Sequence, residues 1–462
     1  MRERNDKLVA LLNEAGWSRA QAASAFNRVS QETKSSGRGR IGRSHVSMWV
    51  SGTQPSGSAP VVLCQALSRR LGRHVTLEEA GFIVSAAPWD CSSWDVDPLT
   101  SLAELGSRDL DTDRRCLLAG GVYSLAALVL PGEGWWREMT LPPALAGAQA
   151  LRAKRVGRHD VDTVRSLTAA FSRMDQSRGG GHGRRALAQY LHSEVSVFLR
   201  GHHPDENVRR DMFSAAAELA YLSGWMAFDN AEHAVAQKYF TVALKLAAQA
   251  DNPPLAGHIL RAMAHQAIDL GFFPQGLELS SASVRGQRYA AATPREKALL
   301  GVVHARGLAA NGHKRDAAKA LLRAEGDLAA ASPGIQEPHR TFFFSEASLA
   351  HETACTLRDL GDGSGAIQQF RRSVRTRGTE FRRTHAVTLG YMGAVQIADG
   401  SVEEACATWG LVLDAMEDGI YSGRARHAVV DMKRLLSPYR HRDIPVARRL
   451  RARATAYLAH VD

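Results

Sequence analysis

Residues 264–280 read AHQAIDLGFFPQGLELS, and this stretch decides the fold. Gly271 sits where a helix has to stop. Seven residues before it stands a small side chain, Ala264; five after it stands Gly276, and nine after it Ser280. The frame recurs around Gly312, Gly361 and Gly400, at spacings of 41, 49 and 39. The first small position becomes Ala305, Ala354 and Gly393, and the second Ala317, Ala366 and Ala405. The last position becomes Leu321, Phe370 and Trp409, and an earlier copy lines up as Gly224, Ala236 and Phe240. Small residues let two helices cross closely, and a larger one fills the space beyond the crossing. A pair of helices built this way cannot bury its apolar face alone, so the copies must stack. The pattern predicts an all-α chain with a continuous solenoid over residues 211–462, closed by a capping pair.

The repeat resembles the tetratricopeptide type, although its period is longer than the usual ~34 residues. The extra length between 312 and 361 falls in a Pro/Gly loop at 331–338. In such stacks the first helix of each pair lines the concave side. Aligned on the small residue, the inward positions become Tyr221, Trp225 and Asp229; Arg261, His265 and Asp269; Arg306; and His351 and Arg358. Aromatic, cationic and acidic groups on one wall predict a recognition groove. Arg forks grip carboxylates bidentately, so the expected ligand is a peptide or another small acidic molecule.

Composition sets the outer limits. The chain has 462 residues, 45% hydrophobic and 23% charged, as in a globular protein. Five scattered cysteines, with no CxxC pair, do not make a disulfide framework, which points to a reducing cytoplasm. The apolar run 117–130 is too short to cross a bilayer, which takes about 20 residues, so no membrane is expected. Asp113-Arg114-Arg115 ahead of it imitates an export signal but lies far from the N-terminus, and a buried helix is the expectation. The loop Gly179-Gly180-Gly181-His182 lacks a GK[ST] ending and reads as a hinge between helices. His182 has no ligand-spaced partner, and no metal, cofactor or catalytic set is expected anywhere.

The formal charge of +11 is unevenly spread. Residues 1–84 carry 12 Lys/Arg against 6 acids, a net +6. Residues 424–462 carry 10 against 3, which reads as a soluble outer cap. A basic head favours a polyanion, because Lys and Arg beside phosphates release counterions. Leu8, Leu11, Leu12 and Ala15 mark one helix, stopped at Gly16; Ser18 caps a second that carries Ala22, Ala23, Phe26 and Val29. Residues 34–43 form a basic glycine loop in which Arg38, Arg40 and Arg43 are expected to contact phosphates. Ser44 is expected to cap a third helix ended by Gly52 and Pro55. Val46, Trp49 and Val50 form its buried face. His45, Ser47, Met48 and Ser51 form a small polar face suited to a major groove about 12 Å wide. A helix over 61–71 and a short one from Thr76 complete the head.

Ser44–Pro55 resembles the S-x-V-S-x-W-x-S-G-x-x-P end of an Xre-type recognition helix. One departure is the long loop between the central helices, where the common motif has a turn of about four residues. Segments 174–195, with GGGH, and 217–236, with Leu222-Ser223-Gly224-Trp225-Met226, extend the resemblance. They are similar to an actinobacterial, streptomycete-type family of regulators that pair an Xre-type head with a tetratricopeptide-like tail. The resemblance implies a transcription regulator of development or secondary metabolism, acting as repressor or activator on double-stranded DNA, with the solenoid binding a ligand, a partner or a second copy. The alternative is a non-DNA scaffold that binds a signalling protein through the solenoid. The expected domains are a helix-turn-helix head over 1–84, a linker over 85–112, a helical connecting region over 113–210, and the solenoid over 211–462.

Overall fold

The computed structural model describes residues 4–32, 40–56, 59–71, 73, 75–82, 94–111, 123–140, 154–439 and 444–461. Among them the chain is helical throughout, and the one extended pairing is an isolated bridge between Arg155 and His202.

The head is built from α1 (Asp6–Glu14), α2 (Arg19–Glu32), α3 (Arg43–Val50) and α4 (Ala59–Leu71). Asn5 caps α1 by accepting the Leu8 N–H, and its amide donates to the Ala80 carbonyl, tying the first helix to the end of the head. Ser18 and Gln21 cap α2 reciprocally: the Ser18 N–H donates to Gln21 Oε1 and the Gln21 N–H to Ser18 Oγ. The predicted apolar residues meet in one core, with the Phe26 and Trp49 ring centroids 5.7 Å apart. Residues 77–80 make a turn capped by the Thr76 hydroxyl, where a short helix was expected.

Five stacked pairs form the body: Glu206–Asp229 with His233–Gln249, Pro253–Asp269 with Phe273–Ser283, Pro294–Ala310 with Lys314–Ala329, Glu346–Asp359 with Gly363–Thr376, and Arg382–Ala398 with Val402–Glu417. Gly423–Leu435 and Pro445–Val461 follow as the terminal pair. The four turn glycines adopt φ of +82°, +79°, +86° and +86°, the left-handed stop that side chains disfavour. The small residues at the crossings are equally constrained. A Cβ on Gly224 would lie 2.7 Å from Phe240, and one on Gly393 2.5 Å from Trp409.

Two expectations change outside the repeats. Within the stretch read as a linker, Pro98–Leu110 is a helix capped by Asp97, and its Leu102 and Leu105 are buried in the main core. Its Pro-first start and spaced leucines are ordinary helix signals, hidden by the Ser/Asp-rich composition around them. The described end of the apolar run makes a 3-10 turn at Ala126–Leu128 instead of an α-helix, with Ala127 and Leu128 buried. Residues 112–122 lie outside the described residues.

The helix Arg158–Arg178 takes a path that no local signal in the sequence marks. It packs against both Glu206–Asp229 and Arg382–Ala398, and so spans from the first pair to the fifth. The hinge expected at Gly179–Arg185 follows it and fixes that path. The Tyr421 N–H donates to the Arg178 carbonyl (2.7 Å), and the Gly181 N–H to the Tyr421 carbonyl (3.2 Å). The Gly180 N–H donates to Asp229 Oδ2 (2.9 Å). A Cβ on Gly180 would sit 2.4 Å from the Met226 carbonyl oxygen, so only glycine fits there. The polyglycine run is a latch between the last turn of the first solenoid helix and the segment entering the terminal pair.

Candidate functional site

On the head, α3 has the two faces its sequence predicts. Val46, Trp49 and Val50 are buried, whereas Arg43, Ser44, His45, Met48 and Ser51 are exposed and Ser47 is half-buried. The helix start differs by one residue. Gly42 occupies the cap position, its N–H donates to His45 Nδ1 (3.1 Å), and Ser44 lies inside the first turn. Arg43 therefore belongs to the helix and not to the loop before it. Arg40 is exposed beside it, and Arg38 lies outside the described residues.

Two residues that sequence reasoning passed over complete this surface. Asn27 of α2 holds Ile41 through a pair of hydrogen bonds, Nδ2–H to the Ile41 carbonyl (2.8 Å) and the Ile41 N–H to Oδ1 (2.9 Å). That clamp sets where α3 begins, despite the long connection. Arg19, the first residue of α2, donates to Ser47 Oγ (3.2 Å) and adds a cation beside the exposed face of α3. Other head cations are committed elsewhere. Arg73 forks onto Glu14 and Glu79, Arg70 donates to the Ala15 carbonyl, and Arg69 lies 5.2 Å from the Phe272 ring of the solenoid. Of the exposed arginines, Arg19, Arg40 and Arg43 stand on or next to α3, and Arg28 lies farther along α2.

In the solenoid the nine inward residues converge, and most of them are buried against neighbouring side chains instead of lining an open groove. Tyr221, Trp225, Asp229, Arg261, His265, Arg306 and His351 are buried, and Asp269 and Arg358 half-buried. Arg306 donates to Asp269 Oδ1 (3.0 Å) and Glu352 Oε2 (3.3 Å). Arg261 donates to the Tyr221 hydroxyl (2.8 Å) and lies over the Trp225 ring. His351 contacts Thr388 Oγ1 (3.0 Å), and Arg358 pairs with Asp359. Arg424, expected on a solvated cap, instead turns inward to Asp269 Oδ2 (3.3 Å). Arg383 donates to Asp175 (2.8 Å) and approaches Asp229 (3.6 Å).

Closure explains the difference. The helix Arg158–Arg178 and the latch cover the concavity, so its charges lose water and must pair with one another. Burial pushes His258 and His233 down to about 4 and His351 to about 3, leaving them neutral imidazoles at neutral pH. Glu352 falls to about 2; burial opposes that shift, and His265 and Arg306 overcome it. Asp175 moves the other way, to about 6, because burial outweighs Arg383.

One cleft stays open along the covering helix, between its 165–176 face, the Glu206–Asp229 helix and the segment 336–343. It has a volume of about 710 Å³, and Tyr221 and Trp225 stand on its wall. Cavities of this size hold small organic molecules. Among the described residues no group of His, Cys, Asp and Glu could hold a metal ion, and no helix is long and apolar enough to cross a membrane.

Residues 8–83 match the family model described as the SP15 N-terminal domain. No curated protein matches the chain.

Proposed function

We propose that this protein is a cytoplasmic, DNA-binding transcriptional regulator whose solenoid senses a small ligand. The observation that carries the reading is α3: one face seated on Phe26 in the head core, the other exposed, with Arg19, Arg40 and Arg43 around it. A short helix with small polar side chains outward and cations at its margins suits base reading in the major groove with phosphate contacts at the edges. Arg19, Arg40 and Arg43 supply the phosphate contacts; Ser44, His45, Ser47, Met48 and Ser51 face the bases. The helix Arg158–Arg178, which lines the cleft and packs on both the first and the fifth pair, offers the solenoid a way to respond to an occupant.

Selection from a random duplex library by the intact chain tests the reading. One sequence class should be enriched, and Ser47→Glu should remove the enrichment while the helical circular-dichroism signal stays intact. Enrichment that survives Ser47→Glu would assign base reading to another element; no enrichment with the parent chain would oppose DNA recognition altogether.

A further inference from the structure

The cleft along the covering helix has a charge balance opposite to that expected of a groove for acidic ligands. Its walls present the carboxylates of Asp175, Asp211, Glu218, Glu296 and Glu337 against the guanidinium groups of Arg165, Arg295 and Arg340. Two of those cations are already spent. Arg340 forks onto Glu296 (2.7 and 2.9 Å) and reaches Glu218 (2.9 Å), and Arg165 is held by Asp211 (2.8 Å). Glu337 accepts the Arg295 backbone N–H (3.0 Å) and stands beside it. One buried carboxylate is incompletely used. Asp175 is 1% exposed; its Oδ2 takes Arg383, and its Oδ1 has no hydrogen-bond partner. A buried carboxylate oxygen without a donor is costly unless something supplies one. Tyr221, Trp225, Phe342 and Phe343 line the same space and offer an apolar surface to the body of a ligand.

We propose that this cleft binds a small molecule carrying a protonated amine, with the ammonium group donating to Asp175 Oδ1 and an aromatic or alkyl body lying against Tyr221, Trp225 and the Phe342–Phe343 edge. This deepens the sensing part of the function above and reverses the ligand charge that the sequence led us to expect. It does not depend on the head, because it is read by binding alone: a failed duplex selection leaves it standing, and its own failure leaves DNA recognition untouched.

The test titrates the full-length chain by calorimetry with tyramine and with its acidic counterpart 3-(4-hydroxyphenyl)propionate. Tyramine should bind saturably at a single site, and the acid at least about tenfold more weakly, the equivalent of one charge-assisted contact. Ser172→Trp fills the cleft from the covering helix without touching an ion pair, and it should abolish the binding. Asp175→Asn should weaken tyramine by about tenfold. If that variant fails to fold beside Arg383, Ser172→Trp decides alone. Equal or tighter binding of the acid would put the ligand charge on Arg295 and overturn the proposal. So would absence of saturable tyramine binding, or a Ser172→Trp chain that binds like the parent.

Discussion

Arg383 and Arg306 show how a charged residue becomes structural once water is removed. Each holds two carboxylates: Asp175 and Asp229 for Arg383, Asp269 and Glu352 for Arg306. Removing either guanidinium strands buried negative charge, so Arg306→Ala should lower unfolding stability by about 3–5 kcal/mol, measured by denaturant titration. A loss below about 0.5 kcal/mol, typical of a surface site, would show that the interior is wetter than described. That Arg261, Arg306 and His265 point inward was legible from helical spacing. Their pairing was not, because the partners Glu352 and Arg424 arrive from helices distant in sequence, and no local pattern encodes which turn they meet. Gly180 belongs to the same scale. It faces the Met226 carbonyl oxygen, which cannot move aside as a side chain can. Gly180→Ala should cost about 1–3 kcal/mol through overpacking, and a neutral result would mean that the latch does not hold the covering helix.

At the scale of the element, α3 separates what local sequence encodes from what tertiary contact decides. Its buried face and its glycine stop followed from spacing and from Gly52, which takes φ of +91°. The cap did not, since Ser44 satisfies the usual preference while Gly42 and His45 form the observed reciprocal pair. Asn27 was invisible for the same reason as the interior partners: it acts on Ile41, 14 residues away in sequence. Trp49 is 5% exposed against Phe26, and Trp49→Ala should unfold the head by roughly 3–5 kcal/mol. Its readout is loss of the head's melting transition with the solenoid transition retained; one unchanged transition would indicate that the head and the body melt as a unit held by contacts such as Arg69 with Phe272. The repeats were the most legible elements, because a turn glycine, a small crossing residue and a large filler recur at fixed offsets.

For the whole molecule, closure of the solenoid sets the response to pH. His233, His258 and His351 are held by burial at about 4, 4 and 3 against an ordinary 6.5. Between those values and 6.5 the unfolded chain binds more protons than the folded one, so stability rises with pH and is lost on acidification. The shifts correspond to roughly 3–5 kcal/mol each. Asp175, raised to about 6, has the opposite sign between 3.8 and 6, but it is one group against three. The urea midpoint should therefore fall steadily from pH 7 to pH 4.5, and a flat profile would show these imidazoles to be solvated. The measurement that bears most directly on DNA recognition is the affinity of the intact chain for a duplex as a function of salt, taken for the parent and for the Arg40→Ala/Arg43→Ala double variant. The parent should show a steep negative log–log slope, and the variant a slope shallower by about 2 with weaker binding on every sequence. An identical slope in the two proteins, or no measurable duplex binding by the parent at low salt, would contradict the assignment of α3 and its flanking arginines to DNA.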